Sequence, residues 1–62
     1  MNIMEQIILV IEELKKLAQF SLDEEIRLNE SSGGIMYFKG VIKSYDTVLE
    51  AIEKVKELQD GK

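Results

Sequence analysis

The chain has 62 residues, a net charge of −4, and no cysteine, histidine or proline. Those absences remove disulfides, Cys/His zinc sites and every nucleophile or base built on a thiol or an imidazole. A domain this short buries only about 60% of the surface its unfolded chain exposes, so with no covalent or metal staple self-association is the expected source of stability.

Residues 3 to 18 predict an amphipathic helix, with Ile3, Ile7, Val10, Ile11, Leu14, Leu17 and Ala18 on one side and Glu5, Glu12, Lys16 and Gln19 around the other. Asn2 is its expected N-cap, and Glu12 is spaced to pair with Lys15 and Lys16 for about 0.2–0.5 kcal/mol each. Ile8 and Leu9 fall off the main stripe, which predicts contact with a second surface. The apolar run Ile7 to Ile11 is flanked by Glu5, Glu12 and Glu13, so it is neither a signal peptide nor a membrane span. Together with the lack of cysteine, this points to a cytoplasmic protein with no membrane partner.

Beyond Phe20 the stripe lapses at Ser21, Glu24 and Glu25. Ser21-Leu22-Asp23-Glu24 has the spacing of a capping box, which predicts an end or bend in the first helix and a new segment to about Glu30. Ser31-Ser32-Gly33-Gly34 is the strongest punctuation in the chain and predicts the turn between two halves of one domain, 1–62.

Ile35 to Leu58 carries the most sustained periodicity. On a wheel of about 100° per residue, Ile35, Tyr37, Phe38, Val41, Ile42, Tyr45, Val48, Leu49, Ile52 and Val55 share one arc, broken only by Lys56 and marginally by Glu53. The opposite side collects Lys39, Lys43, Asp46, Glu50, Lys54 and Glu57. An arc this broad predicts more than one packing neighbour, and Gly40 is its weak point, costing about 1 kcal/mol against alanine. Gly61 suits a C-terminal cap.

The fold class that follows is all-α: a helical hairpin, helices about 3–30 and 35–59, pairing with a second copy into a dimeric bundle. Phe38, Val41, Ile42, Tyr45, Leu49 and Ile52 are its expected oligomer interface. The alternative is α+β, ordered α-β-β-β-α, with a small antiparallel sheet at about 25–45. Glu25 to Asn29 would be one strand, Ile35 to Phe38 and Val41 to Tyr45 would flank a Lys39-Gly40 turn, and Thr47 to Glu50 would cap a short terminal helix. In size and layout the hairpin resembles the family of small plasmid copy-number proteins that form dimeric four-helix bundles. No motif is shared, and RNA binding does not carry across to an acidic chain.

Residues 1 to 30 hold seven acids against three bases, residues 31 to 62 five of each, and no basic run exceeds Lys15-Lys16. Direct nucleic-acid binding is therefore disfavoured. The adjacent acids Glu12-Glu13 and Asp23-Glu24-Glu25 fan around a helix instead of converging, so they predict a solvated face, not a catalytic pair, and no EF-hand spacing occurs. No catalytic residue, metal ligand or cofactor is assigned. The stretch with binding chemistry is Ser31, Ser32, Gly33 and Gly34 before a helix, where free N–H groups can meet an anion, with Lys39 adding charge and Tyr37 a hydroxyl at the edge of the stripe. The function expected is that of a non-enzymatic, homo-oligomeric adaptor or inhibitor that contacts another protein, in keeping with a bacterial or phage accessory gene. The alternative is a binder of an anionic metabolite or nucleotide at that Ser-Gly loop.

Overall fold

The structure, a computed structural model, describes residues 2–28 and 32–60. Two helices account for nearly all of them, α1 (Ile3–Leu28) and α2 (Ser32–Asp60), packed side by side as an antiparallel hairpin. No strand occurs among the described residues. The segments 25–28 and 35–45, which the α+β alternative would place in a sheet, are helical.

Local chemistry accounts for the helix boundaries. Asn2 caps α1 as expected: its Oδ1 accepts the Glu5 N–H at 2.8 Å, its carbonyl accepts the Gln6 N–H at 3.1 Å, and its amide donates to Glu5 Oε1 at 3.4 Å. The capping box expected at Ser21 does not form. The Ser21 hydroxyl instead donates to the Leu17 carbonyl at 3.1 Å, one turn back, and α1 runs on without a break. Ser44 and Thr47 do the same, donating to the carbonyls of Gly40 at 2.9 Å and Lys43 at 3.0 Å. With no proline to remove a donor, a hydroxyl that bonds its own helix leaves the ladder intact.

α2 begins at Ser32, so Gly33 and Gly34 lie in its first turn and not in the connection. The proposed turn residue Ser31, the end of the first helix at Asn29 and Glu30, and the capping Gly61 lie outside the described residues.

The least exposed positions define the seam between the helices. On α1 it runs along Met4, Ile8, Ile11, Lys15, Ala18, Leu22 and Glu25, and on α2 along Ile35, Phe38, Ile42, Tyr45, Leu49, Ile52 and Lys56; Ser21, Glu24, Gly34, Val41 and Asp46 at its rims are half-buried as well. Both rows advance in alternating steps of three and four residues, the spacing that keeps one line of side chains facing a neighbouring helix. Two contacts set the register, an ion pair from Lys15 to Asp46 and the packing of Glu25 on Gly34. At this register Ile8 lies level with Ile52, Ile11 with Leu49, Ala18 with Ile42 and Leu22 with Phe38.

Burial is shallow throughout. Among the described residues Ala18 and Leu22, each 7% exposed, are the buried ones, and no side chain of these is fully enclosed. The Cα trace measures 50 × 19 × 11 Å, long and flat as two helices laid side by side. Its radius of gyration is 14.7 Å, against about 10.6 Å for a compact domain of this length. Two helices in one layer have a seam but no second layer to close a core.

Candidate interaction surface

The rows on either side of the seam have opposite chemistry. One residue before each seam position stand Ile3, Ile7, Val10, Leu14, Leu17, Ser21 and Glu24 on α1, with Gly34, Tyr37, Val41, Ser44, Val48, Ala51 and Val55 on α2. Because the helices are antiparallel, these two rows lie on the same side of the hairpin. A recess of about 260 Å³ confirms this: Leu14, Leu17 and Ser21 line it from α1, Tyr37 and Val41 from α2, with Ala18, Phe38 and Tyr45 of the seam at its floor. Glu24 is the one ionisable carboxylate in either row, held at 2.7 Å by Arg27 one turn on. We refer to this side as the open face.

One residue after each seam position the rows read Glu5, Leu9, Glu12, Lys16, Gln19, Asp23 and Ile26, then Met36, Lys39, Lys43, Asp46, Glu50, Glu53 and Glu57. Ten of these fourteen are charged, and this charged face carries the ion pair between the helices. Lys15 rises from the seam to Asp46, each side chain nearly half exposed. The expected pairing of Glu12 with both lysines is replaced: Lys15 reaches across to α2, and Lys16 takes Glu13 at 3.3 Å. A lysine at a seam position has its stem among apolar neighbours and must carry its ammonium to the rim, where Asp46 meets it.

The apolar residues of the open face are uncovered. Ile3 is 75% exposed, Leu17 64% and Tyr37 65%, with Ile7, Val10, Leu14, Val48 and Val55 also exposed. Scattered exposed leucines are ordinary, but a continuous row of them along two helices marks a contact surface. The molecule exposes 4962 Å², whereas a compact 7.1 kDa protein exposes about 4,100 Å². The excess, roughly 900 Å², is close to the ~800 Å² that one partner contributes to a standard interface.

The six residues expected at an oligomer interface divide between two surfaces. Phe38, Ile42, Tyr45, Leu49 and Ile52 are half-buried in the hairpin's own seam, while Val41 lies on the open face. Phe38 and Tyr45 also border the recess and so reach the open face from below, whereas Leu49 turns toward the charged side beside Glu12 and Gln19. Sequence reasoning assigned Ile3, Ile7, Val10, Leu14 and Leu17 to the main stripe of α1. In the structure these five are uncovered, Ile11 and Ala18 of the same stripe are in the seam, and Ile8, read as off the stripe, is in the seam with them. The broad arcs signalled two packing surfaces per helix, but one sequence does not order them.

At the connection, the residues proposed for anion binding are partly accounted for. Ser31 lies outside the described residues and Ser32 opens α2. Gly33 is exposed, and Gly34 carries the carboxyl group of Glu25 against its backbone: a Cβ at position 34 would stand 2.9 Å from Glu25 Cδ. Glu25 Oε2 is buried there and has no hydrogen-bond partner. A carboxylate at the start of a helix suits the positive end of its dipole, so the chain's own anion occupies this end of α2. Lys39 is exposed on the charged face, away from Tyr37, which stands edge-on to Phe38 with ring centroids 5.1 Å apart and an interplanar angle of 78°. Tyr37 and Lys39 therefore do not converge on one site.

Among the described residues, no group of three or more Asp or Glu side chains is placed to hold a metal ion, and no helix is long and apolar enough to cross a membrane. A second recess, about 510 Å³, lies along α2 between Asp46, Glu50, Glu53 and Glu57. No family model, curated protein or solved structure matches the chain.

Proposed function

We propose that this protein is a non-enzymatic interaction module that works as a homodimer, its open face joined to that of a second copy and its charged faces turned outward to contact another protein as adaptor or inhibitor. The observation that carries this reading is the unequal chemistry of the two faces. The open face is uncharged from Ile3 to Leu17 and from Tyr37 to Val55, so a chain of net charge −4 meets its own copy there without like-charge contact. The opposite face, with Glu5, Glu12, Asp46, Glu50, Glu53 and Glu57, repels a copy of itself. The match between excess exposed area and the area of a standard interface supports the same partner.

Light scattering coupled to size exclusion tests this reading. A dimer at micromolar concentration is expected, together with helix content that falls on dilution, because the hairpin has too little core to persist alone. A fully helical monomer at that concentration would falsify the proposal.

A further inference from the structure

Two hairpins joined by their open faces have two symmetric ways to meet. Either the connections lie at the same end, so that each α1 packs on the partner's α2, or at opposite ends, so that like helices pack together. The register of the hairpin assigns a level along the axis to every residue, and the two arrangements match different levels.

With connections together, α1 residues meet α2 residues of their own level. Val10 then faces Ala51 of the second copy, Leu17 faces Ser44, Ser21 faces Val41 and Leu28 faces Gly34. In these four pairs a large side chain falls opposite a small one, while Ile7 with Val55 and Leu14 with Val48 set two apolar side chains together; an alternation of this kind lets facing layers interdigitate. Glu24 comes level with Tyr37, so the carboxylate that would otherwise burden this face lies within reach of a phenol hydroxyl. Phe20, 66% exposed on the outer flank of α1, comes level with Gly40, where an added Cβ would meet nothing within 4 Å. With connections at opposite ends, Glu24 instead falls among Ile3 and Ile7, where the facing row adds no donor to the one its own Arg27 supplies, and Phe20 falls level with Val10 and Glu13.

We infer that the second copy docks with its connection at the same end, α1 on α2, and that Glu24 accepts a hydrogen bond from the Tyr37 hydroxyl across the interface. This inference rests on the homodimer proposed above. The acidic rows do not oppose it, because they lie on the two outer faces of the bundle, farther apart than the Debye length of about 8–10 Å.

The chain has no cysteine, so a single spin label introduced by Asp60→Cys reports one distance within the dimer. Asp60 is the exposed last residue of α2. Labels at the same end are expected about 25 Å apart, from two interaxial spacings of about 10 Å; opposite ends would put them about 45 Å apart at ~1.5 Å per residue. Met36→Cys, at a position 73% exposed near the connection, provides a second reading with the same order of outcomes and leaves Arg27 in place on Glu24. Tyr37→Phe is expected to weaken dimerisation about tenfold in Kd by removing the donor that the interface adds and leaving the covered carboxylate to Arg27 alone, and Glu24→Gln, which keeps an acceptor, by less. A dimer with the long distance at both labels overturns the arrangement and leaves the homodimer standing. A chain that remains monomeric, including one that binds phosphatidylcholine vesicles instead, overturns both.

Discussion

The two long faces of the hairpin sit on the same two helices, 100° of helical rotation either side of the seam, and differ in almost every respect. On the open face apolar residues repeat down both helices and stay exposed; on the charged face ten of fourteen positions ionise. A single polar-out helix needs only one apolar stripe, and each helix here bears two, one in the seam and one on the open face, which is the feature the proposed dimer would use. The shallow burial agrees with this, since Ala18 and Leu22 are the buried residues of a structure 50 Å long.

The most direct way to break this contrast is to put the same charge on each face. Leu14→Glu on the open face should weaken self-association by at least a hundredfold in Kd, because it buries an unpaired carboxylate at the centre of the contact. Leu9→Glu on the charged face, where Leu9 is 47% exposed, should leave the dimer unchanged. Sedimentation equilibrium on both variants reads the difference, and equal effects would mean that the faces are not distinct. Next in size is the seam itself. Leu22→Ala removes one of the two buried side chains and should cost about 2–4 kcal/mol in urea denaturation. That loss should appear as reduced helix stability at every concentration, unlike the loss from Leu14→Glu, which more protein offsets.

Much of this organisation is legible in the sequence. The helical period from Phe38 to Val55 has no interruption, the Ser-Gly stretch marks the reversal, and Asn2 with Glu5 has the spacing of the cap that forms. What sequence reading places wrongly has a common physical cause. At Ser21 the hydroxyl can cap a new helix or bond back to Leu17, and the choice follows from whether Leu22 has a seam to enter, which is a tertiary fact. Ile8 and Ile7 are both isoleucine, and only the register set by Lys15 with Asp46 and Glu25 with Gly34 puts one in the seam and the other on the open face. The breadth of an apolar arc announces two neighbours; which stripe faces which depends on contacts between the two helices, such as Lys15 with Asp46, that a local reading of either helix does not contain.

A smaller effect comes from the glycines of α2, which the register separates cleanly. Gly40 has open space around its missing Cβ within one hairpin, so Gly40→Ala should stabilise the hairpin itself by about 1 kcal/mol through helix propensity, less whatever its methyl takes from Phe20 of a second copy in the inferred dimer. Gly34→Ala should gain less, because the added methyl displaces the Glu25 carboxyl group from its place on the first turn. Thermal denaturation at one fixed protein concentration orders the two, and a larger gain at position 34 would contradict the packing of Glu25.

The smallest expected effect is the ion pair that ties the charged face to the seam. Asp46 and Lys15 are each nearly half exposed, so solvent screening leaves their attraction at about 0–1 kcal/mol. Asp46→Asn should therefore change stability by no more than that, and the difference from the unaltered chain should vanish in 1 M salt, where the Debye length falls to about 3 Å. What the pair contributes instead is register. Lys15 is the one cation in the α1 seam row, and Asp46 is the carboxylate of the facing flank that it reaches. Lys15→Met, which keeps the length of the stem and removes the charge, should then hold or raise stability. It should also broaden the distance between labels placed on the two helices of one hairpin, because an apolar residue fits several offsets where the lysine accepts one. A distance as narrow as that of the unaltered chain would return the choice of register to the shapes of Ala18, Leu22 and Phe38 alone.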